Sequence, residues 1–156
     1  MTINKKQSIE PFKIVGIATR TSNVTGKAAE DLGNLWGRFF EEQVGTKIIG
    51  KVSEDIYAIY TDYESDYTGE YTCLIGYQVH NLEKIADGLV AREFAGGKHT
   101  KFTAKGKMPD AVVQTWMEIW EKDADLDRQY SADFEVYDTK SQQGENSEVD
   151  IFIALK

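Results

Sequence analysis

The chain has 156 residues, a formal net charge of −8 and an apolar fraction of 41%. That length suits one domain with a sizeable core, and seven Phe, eight Tyr and three Trp exclude a disordered chain. The acidic balance repels phosphate backbones and argues against direct nucleic-acid binding, and no apolar run reaches the length of a membrane span. The polar N-terminus lacks a secretory apolar region, so the expected compartment is the cytoplasm. A single cysteine, Cys73, allows no internal disulfide.

In chain order, residues 1–10 read as a polar lead-in. Residues 12–20 are rich in β-branched and apolar side chains and predict a strand. From Ala28 to Val44, apolar residues recur at positions 28, 32, 35, 36, 39 and 40, the spacing of a helix with one buried face. Gly33 and Gly37 lie inside that helix and share a side, which suggests a sheet approaching closely. Gly45 reads as its C-cap. Residues 56–63 predict a strand, 64–69 a polar turn and 71–79 the return strand. A polar connection over 80–88 separates the two halves of the chain.

The second half starts with a strand over 89–94. Gly96-Gly97 marks a bulge or turn, and the strand resumes over 100–105. Pro109 suits the first turn of a second helix, whose buried stripe is Val112, Val113, Trp116, Ile119 and Trp120. Residues 123–128 read as a charged loop. A final hairpin spans 134–138 and 149–155, joined by a polar, mobile loop over 139–148.

The two halves repeat one order. Residues 12–79 and 94–155 each read as strand, helix, strand, strand. Trp116 follows Trp36 by 80 positions, and Phe134-Glu135-Val136-Tyr137 follows Tyr57-Ala58-Ile59-Tyr60 by 77. Near-constant offsets across three elements indicate a duplication. The fold class expected is α+β: an antiparallel sheet carrying two helices.

Glu135 is the first candidate for chemistry, because its counterpart in the repeat is Ala58. Strand alternation sends Glu135 and Tyr137 one way, Phe134 and Val136 the other. If Phe134 and Val136 face the helices, Glu135 lies on the far side of the sheet. There it is either an exposed carboxylate on a wet face or a carboxylate in a cleft between the halves. Tyr57, Tyr60, Tyr63, Tyr67, Tyr71, Tyr77 and Tyr137 lie on or beside the hairpins. Tyrosines around a carboxylate hold an organic cation through ring faces and charge, whereas cross-strand tyrosines also simply stabilise hairpins. Three or four are expected at a pocket. Trp36 and Trp116, on the helix stripes, serve either core or pocket. Residues 62–73 fail as a calcium loop, with Tyr67 in place of the required Gly and Cys73 in place of the bidentate Glu. His80 and His99 make no zinc or nucleophile motif with Cys73. No phosphate or dinucleotide loop is present, so neither metal nor cofactor is expected.

The segments Ile56-Tyr57-Ala58-Ile59-Tyr60, Gly69-Glu70-Tyr71-Thr72 through Ile75-Gly76-Tyr77, Trp116 through Trp120, and Asp133-Phe134-Glu135-Val136-Tyr137 resemble the GyrI-like small-molecule-binding domain. It is also called the AraC-type effector-binding domain, and the chain looks closest to its stand-alone, integron-associated branch. The resemblance implies one effector-binding domain over 11–156, with pseudo-repeats at about 11–80 and 89–156 related by a pseudo-twofold axis. It implies an aromatic pocket between them in which a carboxylate pairs with lipophilic cations in multidrug-sensing members. The Phe-Glu-Val-Tyr match places that role on Glu135. Trp36, Tyr57, Tyr71, Trp116 and Tyr137 are the first choices for its walls. Members usually follow a DNA-binding domain, and neither such a domain nor a basic stretch precedes this one, so a small-molecule binding protein is the expectation. Two further readings come with the resemblance. One is a hydrolase of cyclopropanoid or similar electrophilic toxins that uses Glu135 as the catalytic carboxylate. The other is a protein that binds and modulates DNA gyrase.

Overall fold

The computed structural model describes residues 4–156 as an eight-stranded, wholly antiparallel sheet with helices on one face. In chain order the elements are β1 (Asn4–Ile9), β2 (Phe12–Ser22), α1 (Lys27–Glu41), β3 (Lys51–Thr61), β4 (Glu70–Val79), β5 (Val90–Phe94), β6 (Gly97–Lys105), α2 (Asp110–Glu121), α3 (Asp123–Leu126), β7 (Ala132–Tyr137) and β8 (Glu148–Ala154). The α+β class and the repeated order are therefore present: β2-α1-β3-β4 and β6-α2-β7-β8.

Across the sheet the strands run β1-β6-β8-β7-β3-β4-β2-β5. The halves join through β7 and β3, and each lends its leading strand to the other's edge. There β1 pairs with β6 and β5 pairs with β2. On β3 and β7, Ala58 stands directly opposite Glu135. These two are also repeat counterparts, so the pseudo-twofold axis passes between them.

Strand alternation sorts the core. On the helix face, Tyr71, Cys73, Ile75 and Tyr77 of β4 pack with Leu35 and Phe39 of α1. In the second half, Phe102, Ile151 and Ile153 pack with Val112 and Ile119 of α2. The opposite face is the inside of a tight curl. Phe12, Ile59, Leu74, Phe134 and Phe152 fill it, and Phe12 of β2 reaches Phe134 of β7 at 5.2 Å, three strands away. A pair of glycines permits that curvature: Gly16 and Gly76 are register partners on the inner face. A Cβ on Gly76 would lie 2.1 Å from the Val15 carbonyl oxygen, and one on Gly16 would lie 1.9 Å from that of Ile75.

Several expectations are corrected. The lead-in is not outside the sheet: residues 4–9 form β1, and the first three residues lie outside the described ones. Helix α1 stops at Glu41 because Gln43 adopts a left-handed backbone (φ 50°) and a 3-10 turn then buries Val44. Gly45 sits in that turn and is not the cap. Strand β3 begins five residues early, with an irregular register between Lys51 and Ile56. The charged loop over 123–128 contains the one-turn helix α3 and ends in the buried Arg128. The polar loop over 139–148 carries two short 3-10 turns. No backbone approaches Gly33 or Gly37; both face open space.

Because backbone atoms oppose a methyl group at Gly76, Gly76→Ala should lower the unfolding free energy by at least about 2 kcal/mol. Urea denaturation of the variant against wild type measures this.

Candidate functional site

Between α1 and α2, above the β3–β7 seam, lies a cavity of about 530 Å³. Its floor is Tyr60, Glu135 and Tyr137. Helix α1 supplies Leu32, Gly33 and Trp36 to one wall, and α2 supplies Val113, Trp116 and Trp120 to the other. Asn23, Tyr63, Tyr67 and Tyr71 close one end.

Glu135 is 1% exposed and lies on the helix face. This reverses the expected orientation. Phe134 and Val136 face the inside of the curl, which is also apolar, so it is Glu135 and Tyr137 that meet the helices. One carboxylate oxygen accepts from the Tyr137 hydroxyl at 2.6 Å. The other accepts from the Tyr60 hydroxyl at 2.9 Å and from the Trp116 indole N–H at 2.6 Å. Burial pushes the Glu135 carboxyl above the usual carboxylate range, against the pull of these three donors. Burial first, and the Glu135 charge second, push the Tyr60 hydroxyl well up, and the same two causes act on Tyr137. No cationic side chain among the described residues pairs with Glu135.

The repeat explains the arrangement of donors. Tyr60 and Tyr137 are counterparts, and each holds a tryptophan edge-on. Trp116 meets Tyr60 with ring centroids 5.4 Å apart, and Trp36 meets Tyr137 at 5.1 Å. Only Trp116 finds a carboxylate, because Ala58 stands where a second one would be.

Arg128 also lines the cavity, but its charge is committed. It donates to Asp133 at 2.6 Å and to Asp123 at 3.3 Å, and its guanidinium lies 4.2 Å over the Tyr130 ring. Asp133 further accepts from Tyr63 at 2.6 Å and from the Ala154 backbone N–H at 2.8 Å. At the closed end, Tyr71 donates to Asn23 at 2.7 Å, and Asn23 donates to the Tyr67 carbonyl at 2.9 Å. The Tyr67 ring stacks on Trp120, 9° from parallel.

Of the residues singled out from sequence, Glu135, Tyr137, Trp36, Trp116 and Tyr71 converge on this cavity. Tyr57 does not. One position from Ala58, it points into the curl, packs against Phe12 and Phe134, and donates to Gln78 at 3.2 Å. Tyr60 takes the place expected of it. Five hairpin tyrosines line the cavity rather than three or four: Tyr60, Tyr63, Tyr67, Tyr71 and Tyr137. Parity along the strands, counted from Ala58 and Glu135, carries the signal for Tyr60. Sequence reasoning also missed Trp120 as a wall, and Asn23 and Arg128, whose roles depend on contacts between loops. Among the described residues no cluster could hold a metal ion, and no helix is long and apolar enough to cross a membrane.

Fold and site together define a duplicated α+β domain with a small-molecule cavity on its pseudo-twofold axis. The family of integron-associated effector binding proteins (Cass2) matches residues 7–155, and the chain belongs to it. It is 27% identical over 149 residues to YobU of Bacillus subtilis, covering 92% of each chain. The Vibrio cholerae integron cassette protein VCH_CASS2 superposes with a TM-score of 0.75 at 28% identity, over 98% of this chain and 95% of that one. SAV2435, solved bound to tetraphenylphosphonium, shares the fold with a TM-score of 0.82 at 21% identity, over 99% of this chain and 94% of that one.

A raised carboxyl pKa in the folded state means that the ionised form is penalised on folding. The penalty is full above the folded value and fades as pH falls through it toward the unfolded one. Glu135→Gln should therefore melt at or above the wild-type temperature at pH 8. Its advantage should shrink on acidification, as thermal melts across pH 8 to 5 would show.

Proposed function

We propose that this protein binds a lipophilic organic cation in the axial cavity, with Glu135 supplying the charge complement. The observation that carries the reading is a fully buried carboxylate held by three neutral donors and lacking a cationic partner among the described residues. The donors fix the carboxylate in place without neutralising it. The aromatic walls offer ring faces to a cation and apolar surface to its substituents. Hydrated metal ions and small ammonium ions gain little there, because Glu135 is too enclosed to replace their water shells. A large cation with dispersed charge gives up little hydration and gains both terms. The tetraphenylphosphonium bound by the fold relative SAV2435 is such a molecule, and the family's effector-binding character agrees with a cavity built for capture.

At a charge separation of about 6 Å and an effective dielectric of about 20, the attraction is worth about 2–3 kcal/mol. Trp36, Trp116 and Trp120 all line the cavity, so binding should quench tryptophan fluorescence. Titration with tetraphenylphosphonium should give saturable quenching that Glu135→Gln weakens at least about tenfold. Unchanged affinity in that variant would overturn the reading. Protonation of Glu135 removes the charge, so wild-type affinity should fall as pH drops through its raised pKa. In Glu135→Gln that pH dependence should vanish.

A further inference from the structure

We propose that the α1 half of the cavity is the subsite for a bulky aryl arm of the ligand, and that Gly33 sets the size this subsite admits. The inference rests on the cavity being a ligand site, and it concerns the uncharged part of the occupant.

The two helices present equivalent positions to the cavity. Counted 80 residues apart, Ala29 answers to Pro109, Leu32 to Val112, Gly33 to Val113 and Trp36 to Trp116, and all eight line it. The walls are thus twofold in position but unequal in bulk: Ala29 and Gly33 on α1 are smaller than their counterparts, whereas Leu32 is larger than Val112. Glycine inside a helix is unfavourable relative to alanine, and is usually explained by close approach of another backbone. Here nothing lies within 4 Å of where a Gly33 Cβ would stand. Internal packing therefore does not require glycine at this position, which is exposed and borders the cavity. Gly37 is open in the same way but lies outside the lining and carries no part of the inference.

The α2 wall is occupied by contacts within the protein. Trp116 donates to Glu135 and Trp120 stacks on Tyr67. On the α1 side, the Trp36 ring packs on Phe39, Phe40 and Tyr137, and its indole N–H has no hydrogen-bond partner among the described residues. A cation centred near the axis by Glu135 thus has room for a large substituent in one direction, over Gly33 and beside the Trp36 ring. This geometry selects aryl-substituted cations over compact alkylammonium ions.

The test compares wild type, Gly33→Ala and Gly33→Val, the last restoring the residue found at the equivalent position on α2. The probes are tetraphenylphosphonium, the smaller benzyltriethylammonium and the neutral fluorophore N-phenyl-1-naphthylamine. The ratio of tetraphenylphosphonium to benzyltriethylammonium affinity should fall at least about tenfold in Gly33→Val and by a smaller step in Gly33→Ala. Naphthylamine binding should weaken in parallel. Both variants gain helix propensity and should melt at or above wild type. If Gly33→Val does not fold, Gly33→Ala carries the comparison. A ratio within twofold of wild type overturns the subsite, even where Glu135→Gln abolishes cation binding. If Glu135→Gln leaves tetraphenylphosphonium affinity intact while Gly33→Val weakens both it and the naphthylamine, the charge reading fails and the subsite stands. If no probe binds wild type, both are overturned.

Discussion

The pairing of β3 with β7 is the constraint on which the rest of the structure depends. It joins the halves, and its register sets Ala58 opposite Glu135 on the pseudo-twofold axis. From that register follow the placement of both helices on one face, the cavity between them and the tyrosines on its floor. A slip of one residue would exchange the faces of a strand. Glu135 would then enter the curl among Phe12, Ile59 and Phe152, away from the Tyr60 and Trp116 donors. The apolar residues on both sides of β7 hold the register: Phe134 and Phe152 stack at 4.8 Å inside the curl, while Tyr137 packs toward both helix-face cores.

Two buried carboxylates two positions apart on β7 show how context separates structure from chemistry. Asp133 has a cationic partner in Arg128, a tyrosine donor in Tyr63 and a backbone donor in Ala154. Removing any one of these would leave a buried charge poorly compensated, which is costly. Asp133 thereby ties β7 to the segment after α3 and to the end of β8. Glu135 has donors only. The same strand face thus carries a buried ion pair and, one pleat along, a buried carboxylate with no cationic partner among the described residues. Arg128 borders the cavity without competing for that role, because Asp133 and Asp123 already engage it.

Much of this was legible in the sequence. Helical spacing located α1 and α2, and the offsets of 80 and 77 residues revealed the duplication and marked Glu135 as its unmatched position. What misled was the assumption that only the helix-facing side of the sheet is apolar. The curl buries the inner face too, so Phe134 and Val136 did not report which way β7 points. The same ambiguity put Tyr57 forward instead of Tyr60. Strand β1 escaped notice because its polar sequence, Asn4 to Ile9, is recruited at an edge by pairing with β6 and not by an apolar face. Asn23 and Arg128 depend on contacts between segments distant in sequence, which a local pattern does not encode.

The duplication accounts for the walls, and its imperfection accounts for the charge. A strictly symmetric version would carry carboxylates at both 58 and 135. Directly opposed residues in an antiparallel pair have Cβ atoms only about 5 Å apart. Two buried carboxylates so close would not both ionise; one would hold a proton. The pair would then bond to each other and use up acceptor sites that now receive Tyr60, Tyr137 and Trp116. Alanine at 58, fully buried, removes the second charge and leaves space for the Glu135 side chain to occupy the axis. The symmetry-related tyrosines can then both donate to one group. Trp36 is left as a copy of Trp116 without the carboxylate bond, its ring packed on Phe39, Phe40 and Tyr137 at the cavity's other wall.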